Sequence, residues 1–111
     1  MGMDVIGVNP ATVEGERFRR NIWSWYPLAV FCCTVAPSDC GEHKKWFFND
    51  GWGLDGEHSV RLADALTEAI NDGAVEQFLD FLKSYPDYRF TGKGLREFIQ
   101  FLRTSGGFEI W

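Results

Sequence analysis

The chain is poor in the residues from which most catalytic and metal centres are assembled. Two histidines and three cysteines are scattered through 111 residues. There is no C-x-x-C pair, no H-E-x-x-H run and no G-x-S-x-G nucleophile elbow. Hydrolytic chemistry therefore has no recognisable constellation, no catalytic residue is assigned, and no cofactor is expected. Long apolar runs are missing too. The longest, residues 28–36 with only Thr34 polar, is too short to span a bilayer. The opening MGMDVIGVNP lacks the basic and apolar regions of a signal peptide, and Ile6 stands where a myristoylation signal needs Ser or Thr. With an odd number of cysteines and no such signal, reduced thiols and a cytoplasmic location are expected, with no membrane partner.

Positive charge is also in short supply. The net charge is −5, which disfavours general binding to a phosphate backbone, so nucleic acid is not the expected partner. The deficit is local. Residues 39–87 hold eleven carboxylates against four Lys or Arg, a balance of −7, and arginines cluster on either side. On one of those flanks Arg17, Arg19 and Arg20 interleave with Trp23, Trp25 and Tyr26, as cations and rings do on single-strand nucleic-acid surfaces. The patch is short, and the expectation is that its arginines pair with carboxylates while its rings enter the core.

What the sequence has in quantity is aromatic surface: ten Phe, five Trp and three Tyr. Rings of this size make a small core dense, and any that stay outside are natural anchors for a partner. At 111 residues the chain is expected to form one domain, 1–111, with a core of its own.

The pattern of the chain predicts an α+β fold, mostly helical, with about four helices and a small sheet. Met3 to Val8 reads as a strand that ends at Asn9-Pro10. Residues 11–22 read as irregular, with a helical turn near Glu14–Arg19. Pro27 suits the first position of a helix, and apolar residues fill almost every side of 28–36, as in a buried helix; Pro37 stops it. Asp55 can cap a second helix, with Leu62, Ala63, Leu66, Ala69 and Ile70 as its stripe and Asn71-Asp72-Gly73 as its end. Two further helices carry the same pattern twenty residues apart, QFLDFLKS (77–84) and EFIQFLRT (97–104), read as two amphipathic helices doing the same packing job. Residues 108–111 alternate like a strand and are expected to pair with the first, tying the two ends together. Trp46–Phe48 is a further strand candidate.

Three stretches invite a functional reading. FCCTVAPSDCGEH (31–43) holds Cys32, Cys33, Cys40 and His43, and Cys40-x-x-His43 has the spacing of half a zinc site. Cys33 could add a third ligand, but the fourth is missing, so the stretch reads first as a helix end followed by a turn. A vicinal Cys32–Cys33 disulfide would be strained. GWGLDG (51–56) matches the dinucleotide pattern G-x-G-x-x-G letter for letter, yet Asp50, Asp55 and Glu57 would repel a pyrophosphate and no second parallel strand follows. It reads as a glycine turn into a capped helix. The same carboxylates do not have the spacing of a calcium loop. Asp64, Glu68 and Asp72 fall four residues apart on one helix face, a solvated edge or a surface for a basic partner.

Four stretches together resemble a family of small bacterial and phage-associated proteins that begin MGMDVYG, continue with a segment like FRNNVWWWRPL, carry NDGxGL before a helix and end SGGFxI. Here they read MGMDVIG (1–7), FRRNIWSWYPL (18–28), NDGWGL (49–54) and SGGFEIW (105–111). Some of those proteins carry a C-x-x-C insertion before the last helix, and many end in Cys. This chain has SYPDYRFTGKG (84–94) and Trp111 at those places. The resemblance implies no activity.

Function is thus expected to lie in binding. The favoured reading is a small acidic protein–protein interaction protein, of the inhibitor or immunity type, with another protein, a basic one, as partner. The other is a small-ligand- or metal-binding protein, or an enzyme, that uses the 49–58 loop with Cys40 and His43. Binding residues are expected at Asn49, Asp50 and Trp52, with Trp23 as neighbour, because loops carry function and an exposed Trp there needs a reason.

Overall fold

The structure is a computed structural model that describes residues 2–111. The first strand, β1 (Gly2–Gly7), lies in the middle of a three-stranded antiparallel sheet. On one side it pairs with β2 (Arg17–Asn21), and on the other with β3 (Phe108–Ile110), so the two ends of the chain meet as the alternation predicts. Four helices complete the fold, α1 (Ile22–Val35), α2 (Gly56–Asn71), α3 (Ala74–Leu82) and α4 (Gly92–Thr104), with α1 and α4 packed against the sheet.

The register of the sheet follows from which side chains must be dry. Val5 stands opposite both Phe18 and Ile110, and all three are buried. Asp4, one residue along, points to the other face, as pleating requires. There its carboxylate accepts from Arg17 (Nη2, 2.6 Å) and from Arg19 (Nη1, 2.8 Å). Arg20 meets Glu97 at 3.4 Å and lies over the Phe18 ring. The basic cluster is therefore occupied locally. This is also why β2 escapes a periodicity reading, which left 11–22 irregular: its polar residues face water, and their pairing with Asp4 is not visible along the chain. Only a 3-10 turn at Val13–Gly15 remains of the predicted helical turn.

The hydrogen bonds from Arg17 and then Arg19 hold the Asp4 carboxyl below its ordinary value. A depressed folded-state value means stability present above the ordinary carboxylate range and lost as pH falls through it. Asp4→Asn is expected to flatten the fall of melting temperature on acidification. Because the arginines are exposed, raised salt should shrink the difference from wild type. Identical acid and salt profiles for the two proteins would rule out this role.

Helix α1 begins five residues before the predicted start. Asn21 caps it by accepting from the Ser24 N–H at 3.1 Å, which leaves Pro27 inside the helix. A proline there cannot donate to the carbonyl four residues back, that of Trp23. The Trp23 carbonyl instead accepts from the Arg89 N–H at 2.9 Å, so Pro27 frees the group that docks the α3–α4 connection onto α1. Trp46–Phe48 is not a strand. Residues His43–Phe47 form a 3-10 turn that drives Trp46 into the core against Trp25, their rings stacked 5.8 Å apart.

Helix α2 starts where its cap predicts, with Asp55 accepting from the His58 N–H at 2.8 Å, and packs along α4. Gly73, at φ +82°, turns the chain into α3. Thr91 caps α4 through Gly94 N–H at 2.9 Å.

Candidate functional site

The repeated helical pattern sets up the site. In α4 the four apolar positions Phe98, Ile99, Phe101 and Leu102 are all buried. The same positions in α3 are Phe78, Leu79, Phe81 and Leu82, and there Leu79 is 40% and Phe81 53% exposed, against 8% and 1% for Ile99 and Phe101. The two helices therefore do not do the same packing job. One lies against the core on this face, and the other leaves much of it in water.

Helix α1 contributes the facing wall. Its composition predicts burial nearly all round, yet Val30 is exposed. Between α1 and α3 runs an apolar trough. Its first part, about 290 Å³, is lined by Tyr26, Pro27, Val30, Phe47, Phe81 and Tyr85. A second part of about 360 Å³ continues past Val35 and Ala74, and a third of about 360 Å³ runs on from these two to Glu68 on α2 and Asp72 just after its end. The rings hold one another in place: Phe31 meets Phe78 at 5.3 Å and Phe81 meets Tyr85 at 5.3 Å. At the mouth, the connection docked by the Trp23 carbonyl brings Tyr88 against Trp23, centroids 5.5 Å apart. The polar character of the trough is thus asymmetric, aromatic at one end and carboxylate at the other. Among the described residues neither Glu68 nor Asp72 is in an ion pair, whereas Asp64 is held by Arg103 at 2.7 Å.

The expected binding residues fall elsewhere. Asn49 and Asp50 are exposed, and Asp50 pairs with Lys45 at 3.1 Å, a hydrogen bond that lowers its carboxyl value. Trp52 is not an exposed anchor. It is half-buried, with its ring 6.1 Å from that of Trp46. Trp23 is exposed, but its ring partner is Tyr88, so it borders the trough rather than the 49–58 loop. None of the four lines the trough.

The glycine motif has a structural cause. Residues 51–54 run beside β3, with Ile110 N–H donating to the Trp52 carbonyl at 2.8 Å and Phe108 N–H to that of Leu54 at 2.9 Å. A Cβ on Gly53 would lie 1.5 Å from the Phe108 carbonyl oxygen, and Gly51 sits at φ +91° against the Trp111 ring. The pattern lets two backbones touch; no phosphate is required to explain it. Asp55 is occupied as well, holding both the backbone N–H and the ring Nδ1 of His58.

The cysteine stretch divides at Pro37 as the sequence suggests, with Cys32 and Cys33 in the last turns of α1 and Cys40 just after a 3-10 turn, Pro37–Asp39. Cys40 is fully buried and Cys33 half-buried, and all three cysteines are free thiols. The His43 Nε2 is 2.8 Å from the Pro37 carbonyl oxygen. Among the described residues no group of three or more His, Cys, Asp or Glu could hold a metal ion. Nor is any described helix long and apolar enough to cross a membrane.

Fold and trough together define a small α+β domain with an open aromatic face. Comparison of the chain with protein-family models, curated proteins and solved structures finds no match.

Proposed function

We propose that this chain is a protein-docking module whose α1–α3 trough takes an amphipathic segment of a basic partner. The observation that carries the reading is the unequal fate of one pattern: buried in α4, exposed in α3. A large exposed aromatic surface on a small domain marks an interaction site more often than an accident of folding.

The trough also specifies its occupant. From Tyr26 to Val35 helix α1 rises roughly 14 Å, so a segment of about three helical turns would fill it, with apolar residues three and four apart facing inward. Lys or Arg at one end of that segment would meet Glu68 and Asp72. The acidic balance of residues 39–87 would steer the approach of such a partner. The stretches that carry the resemblance to the MGMDVYG family build the sheet, the loop laid along it and the first half of α1, so Tyr26 and Pro27 of the trough fall within them while α3 does not.

Affinity purification with wild type, Phe81→Glu and Glu68→Gln/Asp72→Asn tests the proposal. The wild type should retain a partner with a basic amphipathic segment. Phe81→Glu should lose it, and the double variant should bind it more weakly and with less dependence on salt. Equal retention by Phe81→Glu would refute the reading. So would sedimentation showing that the trough is closed by a second copy of this chain.

A further inference from the structure

We propose that the pocket between α1 and the chain entering α4 binds a small carboxylate with an apolar body, held by Arg89 and Arg20. The pocket, of about 240 Å³, is floored by Leu28, Phe90 and Leu95, and Arg20 and Arg89 stand in its lining with Ser24 and Thr91. No Asp or Glu lines it, and it shares no lining residue with the trough, so it does not depend on the docking reading. Pockets that take drug-sized molecules run to roughly 300–1,000 Å³, so this one suits a single ring or a short branched chain with its carboxylate.

The charge around the pocket has no counterpart within the chain. Of the eleven Lys and Arg, seven are in ion pairs. Among the described residues the other four are Lys44, Arg89, Lys93 and Arg96, so three of them fall together at 89–96. Nearby Glu97 is already engaged by Arg20 at 3.4 Å. Arg20 is held further by its own stacking over the Phe18 ring, 4.0 Å from the centroid, and Arg89 by its N–H, bonded to the Trp23 carbonyl at 2.9 Å. A Cβ on Gly92 would lie 3.0 Å from the Arg96 Nη1, so Arg96 folds back over Gly92, next to Thr91 of the lining.

The lining has two characters, and so has the ligand it fits. A planar guanidinium offers a carboxylate two parallel N–H donors. Thr91 Oγ1 accepts from the Gly94 N–H at 2.9 Å, which leaves its hydroxyl proton to donate to the same group. The floor is firm hydrocarbon: Leu28 and Leu95 are buried, and the Phe90 ring rests 5.0 Å from Phe31 and 4.9 Å from Phe78. A bare inorganic anion would leave that floor in water, and a neutral ring would leave the arginines without a counter-charge. A molecule carrying both parts satisfies both.

The test titrates the isotope-labelled full chain with phenylacetate and follows each backbone amide by NMR. Saturable shifts are expected at Ser24, Arg89, Thr91 and Gly94. Phenylacetamide, which lacks the charge, and acetate, which lacks the ring, should each bind about tenfold more weakly or worse. Arg89→Gln should weaken phenylacetate by about the same factor, while Phe81→Glu, in the trough, should leave it unchanged. Arg89 is exposed and its N–H survives the substitution, so the variant should fold; the three probes on wild type decide the matter even if it does not. No saturable shift at millimolar phenylacetate, equal binding of phenylacetamide, equal binding of acetate (an adventitious ion only), shifts centred on Phe81 and Tyr85, or full affinity in folded Arg89→Gln would each overturn the proposal.

Discussion

Gly53→Ala is expected to destabilise the fold by on the order of 3 kcal/mol or more, read as a lower urea midpoint with an unchanged slope. The methyl would be placed 1.5 Å from the Phe108 carbonyl oxygen, far inside contact distance. That oxygen cannot retreat cheaply. The Phe108 N–H is bonded to Leu54 and the Ile110 N–H to Trp52, so β3 and the loop are fastened together on either side of the clash. The loop must peel away, and the half-buried Trp52 would lose its seat on Trp46 with it. Gly73→Ala makes the contrast. Gly73 has φ +82° but nothing within 4 Å of the added Cβ. Its substitution should cost only the left-handed backbone penalty, roughly 1–2 kcal/mol. Equal losses at the two positions would mean that the 51–54 segment is not pressed against β3.

The same glycines mark how far the sequence could be read. Periodicity placed all four helices and the two terminal strands, because an apolar stripe and a capping Asp55 are local signals. Backbone-to-backbone contact has no such signal. G-x-G-x-x-G resembles a phosphate loop because both uses need room for an approaching backbone; the carboxylates around it argue against a phosphate, but only the fold shows that the backbone it admits is that of Phe108. Strand β2 was hidden for a related reason: Arg17 and Arg19 look like surface charge until Asp4 lies across from them. Pro27 reads as a helix start wherever its missing donor is taken as harmless, and here the gap is filled by Arg89 from the far side of α3.

The trough was half legible. Both of its walls carry apolar residues where a sequence reading expects core, in α1 on nearly every side and in α3 on the pattern shared with α4. What the sequence could not give is which of those surfaces would lack a neighbour. That depends on packing order. Helix α4 takes the place beneath the sheet, with Phe98 against Phe18 at 5.0 Å and Trp25 at 5.7 Å, and α3 is left outside. The 49–58 loop drew the functional expectation because it holds glycines, carboxylates and a Trp. There Asp50 pairs with Lys45, Asp55 with His58 and Glu57 with Arg61, and residues 51–54 lie along β3.

Trp46→Ala is expected to remove roughly 3–5 kcal/mol, a large share of the about 5–15 kcal/mol that holds a domain of this size together. The indole is fully buried, stacked on Trp25 and packed against Phe108 at 5.6 Å and Phe98 at 6.2 Å. It also links two segments through hydrogen bonds: Trp46 Nε1–H donates to the Cys40 carbonyl at 2.8 Å, and Trp25 Nε1–H donates to the Trp46 carbonyl at 2.7 Å. Trp46→Phe keeps most of the ring volume but leaves the Cys40 carbonyl without its donor, a loss of about 1–3 kcal/mol. Comparing the two by urea denaturation separates volume from hydrogen bonding; equal losses would assign the whole effect to the N–H. The pair also distinguishes stability from recognition. Phe47, the next residue, stands in the trough with its ring 5.5 Å from Tyr26. A folded Trp46→Phe protein should therefore still bind the basic partner while being less stable, whereas Phe81→Glu should lose the partner and keep its stability, since Phe81 is 53% exposed already. If Trp46→Phe, still folded, lost the partner while Phe81→Glu kept it, recognition would have to be moved from the trough to the Trp46 side of α1.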